Sequence, residues 1–143
     1  MVIRLLFLTV LAFLLAKPTP ARSAGVESVF LDQLVHLHSK AIAILDRVEK
    51  AVPRGEHEFQ TREEILALVR LVHRLDEEAA LTNLQLVQRG QPQNKTLLMV
   101  QQAAKALDGM FAALENYIAS ADRSFLGFAR DNNAIVWSVR KVM

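Results

Sequence analysis

What most constrains this chain is where its helix-breaking residues fall. Beyond residue 24 they cluster at Pro53-Arg54-Gly55 and Gly90-Gln91-Pro92, with a weaker polar stretch from Ser120 to Ser124. Between those points apolar residues recur in steps of three and four, the period of a helix and not of a strand. The spacing predicts a first helix over about Val26 to Val52, carrying Phe30, Leu34, Leu37, Ala41, Ile44 and Val48 inward, with Leu31, Val35, Ile42 and Leu45 widening the stripe. A second helix is expected from Thr61 to about Arg89, opened by a capping box in Thr61-Arg62-Glu63-Glu64. A third runs from about Asn94 to Ala119 and a fourth from about Arg123 to Lys141, with Asp122 or Ser124 as its cap. On the fourth, Phe125, Phe128, Ile135, Val136, Val139 and Val142 are expected to face the interior. The joint near Asp122 leaves open whether the last two helices are one kinked helix. Short connections between long helices favour antiparallel neighbours, so the expected fold is all-α, an antiparallel up-down four-helix bundle over residues 24–143.

Residues 1–23 read differently. Arg4 is followed by an uncharged run from Leu5 to Ala16, then by Lys17, Pro18 and Pro20, with Ala21 and Ser23 at the spacing of a small-x-small cleavage site. The apolar run is too short for the roughly 20 residues a membrane-spanning helix needs. This order predicts a signal peptide, removal after Ser23, and a periplasmic or secreted product with no stable membrane span. Of the 17 basic groups, Arg4, Lys17 and Arg22 would leave with it, so that 14 stand against 15 acidic ones. The small positive balance of the whole chain is therefore a property of the signal, and nucleic acid is not the expected partner. There is no cysteine. A disulfide framework is excluded, and stability must come from burial.

Polar residues that break the apolar stripes are the candidate site. On helical wheels of about 100° per residue, His38 falls among Leu34, Ile42 and Leu45, Asp76 between Val69 and Val72, and Asn132 among Phe128, Val136 and Val139. Asn83 lies near the line of Asp76, two turns on. If the first hairpin turns near Glu56 or His57, residues whose numbers sum to about 114 share a level, which pairs His38 with Asp76. The expectation is a buried layer of His38, Asp76 and Asn132, with Asn83 further along. Such a layer either fixes helix register as a satisfied network or binds a small ligand, metal or haem.

The chemistry available is thin. One inward His and one carboxylate fall short of the three or more ligands that a transition metal takes. His73-Arg74-Leu75-Asp76-Glu77 resembles the paired ligands of di-iron bundles only in reverse, and occurs once. Covalent haem needs a CxxCH motif, which a chain without cysteine cannot have. No GxSxG motif or inward serine supplies a nucleophile. No metal or cofactor is expected, and the chain reads as a non-enzymatic binding or accessory module, with the ligand site around His38 and Asp76 as the alternative. Leu71, Leu81, Leu84, Leu98, Leu126 and Trp137 lie outside the main apolar arcs, and Trp137 with Leu126 marks the expected interface for a protein partner or self-association. Asn94-Lys95-Thr96 also fits a glycosylation sequon.

Overall fold

The computed structural model describes residues 21–50 and 55–143, and side chains from 25–50 and 58–143. Most of the expected signal peptide lies outside the described residues. Four helices follow in order: α1 (Ala21–Lys50), α2 (Gly55–Gln88), α3 (Lys95–Ser120) and α4 (Ser124–Val142). No strand occurs among the described residues. None of these helices is long and apolar enough to cross a membrane.

The punctuation acts through particular bonds. Gly90 takes a positive φ of 76° after α2, and Gln91 N–H reaches back to the Leu86 carbonyl at 3.0 Å, so the final turn closes on itself. Asn94 then caps α3, its side-chain oxygen accepting from Leu97 N–H at 3.1 Å. At the other end of α3, Ala121 adopts a left-handed φ of 57° and its N–H bonds to the Tyr117 carbonyl at 2.7 Å. This left-handed residue separates α3 from α4. The cap of the next helix is Arg123, not the expected Asp122 or Ser124, and it has no side-chain cap bond; Asp122 precedes it, its carboxylate accepting from Ser124 N–H at 3.0 Å. That backbone bond, helped by the Ser124 side chain and only weakly opposed by desolvation, holds the Asp122 carboxyl below its ordinary range. Thr61 caps nothing, because α2 already begins at Gly55 and Thr61 lies buried within it.

Buried side chains from all four helices form one cluster, with Phe30, Leu34, Ile44, Ile65, Leu75, Leu107, Phe111, Leu114 and Tyr117 essentially inaccessible. α3 packs on each of the other three helices, most extensively on α4. Small residues permit that approach. Ala106, Gly109 and Ala113 share one face of α3 by their spacing, and a Cβ added at Gly109 would stand 2.7 Å from Asn132 Oδ1 of α4.

This close contact sets the rotation of α4, which differs from the sequence expectation. Leu126, Ala129, Val136 and Val139 are buried, whereas Phe128 (56% exposed), Ile135 (45%) and Val142 (68%) lie on the rim. The bulky residues suggested one inward stripe. A helix pressed against alanines and glycine instead turns its own small residue, Ala129, inward and carries its large ones at the edge. Leu126, expected beside Trp137 on the surface, is fully buried.

Candidate functional site

Among the described residues, His38 is the one buried side chain that titrates near neutral pH, with no exposure to solvent. Its neighbours in α1 at three and four residues' distance are Leu34, Val35, Ala41 and Ile42, so the helix supplies no polar partner of its own. The partners come from α4. Asn133 Oδ1 lies 2.6 Å from His38 Nε2, and Arg140 NH1 lies 2.8 Å from His38 Nδ1. Between these residues in sequence, Trp137 sets its ring edge-on to the imidazole, with centroids 4.9 Å apart. Asn133, Trp137 and Arg140 recur at steps of four and three, so a single face of α4 delivers all three.

The two hydrogen bonds determine the protonation state. Arginine has no acceptor atom and stays protonated, so it donates and Nδ1 must accept. Asn133 Oδ1 can only accept, so Nε2 carries the proton. The ring is thus the neutral Nε2–H tautomer, with both nitrogens occupied. Burial pushes its pKa below the ordinary 6.5; the Asn133 bond opposes this, and the positive charge of Arg140 adds to it.

Arg140 is unusual in turn. It takes part in none of the ion pairs among the described residues. Its guanidinium carbon sits 4.4 Å from the centroid of Trp137, so a neutral imidazole and an aromatic face take the place of a carboxylate. Trp137 itself remains 45% exposed. Further along the same seam, Arg130 Nε donates to Glu49 Oε1 at 2.7 Å.

The other expected members of the polar layer lie elsewhere. Asp76 does not meet His38: it is only half-buried on the flank of α2 that faces α3, where it accepts from Gln101 Nε2 at 3.2 Å. The pairing fails because His38 turns towards α4 and Asp76 towards α3. His73 also faces α3 and reaches Asp108 at 2.9 Å, an exposed pair. Asn132 misses the layer by one residue: it is half-buried against Gly109 and donates to the Phe128 carbonyl at 3.0 Å. Its neighbour Asn133 occupies the place expected of it.

Asn83 is buried, but as part of a second network. Its Oδ1 accepts from Asn94 N–H at 2.7 Å and its Nδ2 donates to the Asn94 carbonyl at 3.2 Å, so one side-chain amide pairs with both backbone groups of the loop residue. The Asn94 side chain caps α3 and also donates to Glu27 of α1. The nitrogen on which a glycan would be built is therefore already used.

Neither Asn133 nor Arg140 stands out from its wheel position alone. The i, i+4, i+7 spacing of Asn133, Trp137 and Arg140 becomes a signal only once α4 is rotated by about 70° from the phase its bulky residues suggest. As a ligand site the arrangement is closed: Nδ1, the only imidazole lone pair, is held by Arg140. Among the described residues no three His, Cys, Asp or Glu side chains gather as metal ligands would. Neither a protein-family model, nor a curated protein, nor a solved structure matches the chain.

Proposed function

We propose that this chain is an exported, non-enzymatic helical-bundle module that binds a protein partner through the surface centred on Trp137. The observation that carries the reading is that Trp137 is nearly half exposed and yet fixed on two sides, by the edge of His38 and by the Arg140 guanidinium. An aromatic anchor held in place before binding loses little side-chain entropy on association, and tryptophan dominates many interface centres for that reason. The alternative of a ligand site around His38 and Asp76 is less favoured, since Asp76 bonds to Gln101 and both nitrogens of His38 are engaged.

An antiparallel up-down arrangement is supported by the partners across the seams. From α2 to α3, Arg62 pairs with Glu115, Asp76 with Gln101 and Asn83 with Asn94, so numbers rise along one helix as they fall along the other. The same holds from α1 to α4 for His38 with Arg140 and Glu49 with Arg130. Export is supported by the order of charged, apolar and proline-broken segments before Ala24. On this reading the functional product is residues 24–143, in the periplasm or secreted.

Two experiments test the proposal. Amino-terminal sequencing of the protein recovered from its native host should begin at Ala24; recovery from the cytoplasm with Met1 intact would contradict export. A photo-crosslinking residue at position 137 in that host should give one discrete adduct that the same residue at Lys105, an exposed position on α3, does not. Equal labelling at both positions, or none at 137, would contradict the binding surface.

A further inference from the structure

We propose that His38 is a proton-operated latch: the neutral ring holds Arg140 and Trp137 of α4 against α1, and protonation at Nδ1 releases them. The geometry makes the two sides of the ring respond differently. A proton taken from solvent would occupy the Nδ1 lone pair that now accepts from Arg140 at 2.8 Å. Donor would then face donor, and two positive charges would stand at hydrogen-bond distance. On the other side, Nε2–H continues to donate to Asn133 Oδ1, and that bond strengthens when the donor is charged. Protonation therefore expels Arg140 while leaving His38 attached to α4 through Asn133, about two turns earlier in the helix.

Among the described residues, no carboxylate lies within ion-pair distance of His38 to compensate for the new charge. The positive charge of Arg140 itself opposes protonation of the ring. On α1, His36 and Lys40 are exposed. On α2 and α3, His73 and Asp108 pair with each other and Asp76 with Gln101. On α4, Arg130 is bound to Glu49. Once expelled, Arg140 takes with it the cation lying over Trp137. Residues from Trp137 to Met143 then lose their polar tether to α1. The inference does not depend on what covers Trp137, so the latch and the binding surface stand or fall separately.

Burial sets the direction of the response. The folded-state pKa lies below 6.5, so the closed latch contributes its full stability above that value and loses it as the pH falls through the lowered one.

The chain contains a single tryptophan, so its emission reports on this site alone. Acrylamide quenching of the purified protein should be followed from about pH 8 to about pH 5. Because Trp137 is already 45% exposed, release can raise the quenching constant by at most about twofold. The expected result is such a rise, with a midpoint below 6.5 and with far-UV ellipticity unchanged. His38→Gln keeps an acceptor for Arg140 and a donor for Asn133 but does not titrate, so its quenching should stay low throughout; Arg140→Met should quench strongly at every pH. A wild-type protein with flat quenching, or a His38→Gln variant with the same transition as wild type, would overturn the latch. So would Arg140→Met quenching like wild type at about pH 8, or ellipticity that falls together with the emission change.

Discussion

Replacing Asn83 with alanine should cost the fold about 2 kcal/mol, although its side-chain hydrogen bonds go to loop backbone and to no other helix's side chain. Its amide makes two bonds to the backbone of Asn94, at 2.7 and 3.2 Å, and is 98% removed from solvent, with a relative exposure of 2%. Each bond contributes a net ~0.5–1.5 kcal/mol, and an orphaned backbone group adds to the loss. Two effects reduce it. Asn94 is only half-buried, so water can reach part of what is stranded, and alanine is the better helix former by ~0.5 kcal/mol. With a urea dependence of about 1–3 kcal/mol per molar, the midpoint of unfolding followed by circular dichroism should fall by roughly 1 M. Asn83→Asp adds a sign. A carboxylate still accepts from Asn94 N–H but faces the Asn94 carbonyl with no proton to donate, so this variant should be weak near neutral pH. It should recover relative to wild type when the acid is protonated. An Asn83→Ala midpoint within experimental error of wild type would refute the reasoning, since it would mean that the α2–α3 loop is not held by this amide.

Other positions test the packing. Leu126→Ala should destabilise by about 2–5 kcal/mol and Phe128→Ala by less than about 1, as their burial and exposure require; equal losses in thermal or urea unfolding would place α4 in the wrong rotation. Gly109→Ala should stabilise an Asn132→Ala background by about 0.5–1 kcal/mol through helix propensity, but gain nothing in wild type, where the new methyl meets the Asn132 amide. The same gain in both backgrounds would show that α3 and α4 are not in such close contact. Ala121→Gly should raise the melting temperature, because the left-handed conformation at φ 57° costs alanine ~1–2 kcal/mol that glycine does not pay; a lower melting temperature would argue that Ala121 is not left-handed.

The parts of the fold that depend on a helix alone could be read from the chain. Gly90, Pro92 and Asn94 stop one helix and start the next through their own backbone and side chains, and the apolar rows of α1 and α3 follow from period. Thr61 shows where local pattern misleads: a capping-box sequence can occur inside a helix whose start lies elsewhere, here six residues earlier at Gly55. The phase of α4 depends on its neighbour. Bulky Phe128 and Ile135 point to one inward face, while the glycine and alanines of α3 select another, and nothing within α4 records that choice. The candidate site suffers the same limit. His38 stands out as a lone imidazole in an apolar stripe, but its partners lie about a hundred residues away, on the helix whose rotation its own sequence does not fix. Asp76 illustrates the converse, since level with His38 in number it faces a different helix. Asn83 was placed inward by its phase, and its partner proved to be loop backbone, which wheel reasoning does not consider.

The latch requires a neutral His38 that donates from Nε2 and accepts at Nδ1, and nitrogen NMR of the imidazole reads both properties at once. Across a titration, the expected result is an Nε2–H tautomer above the transition and a pKa below 6.5, with the pKa rising in Arg140→Met. An Nδ1–H tautomer, or a His38 pKa above 6.5, would contradict it.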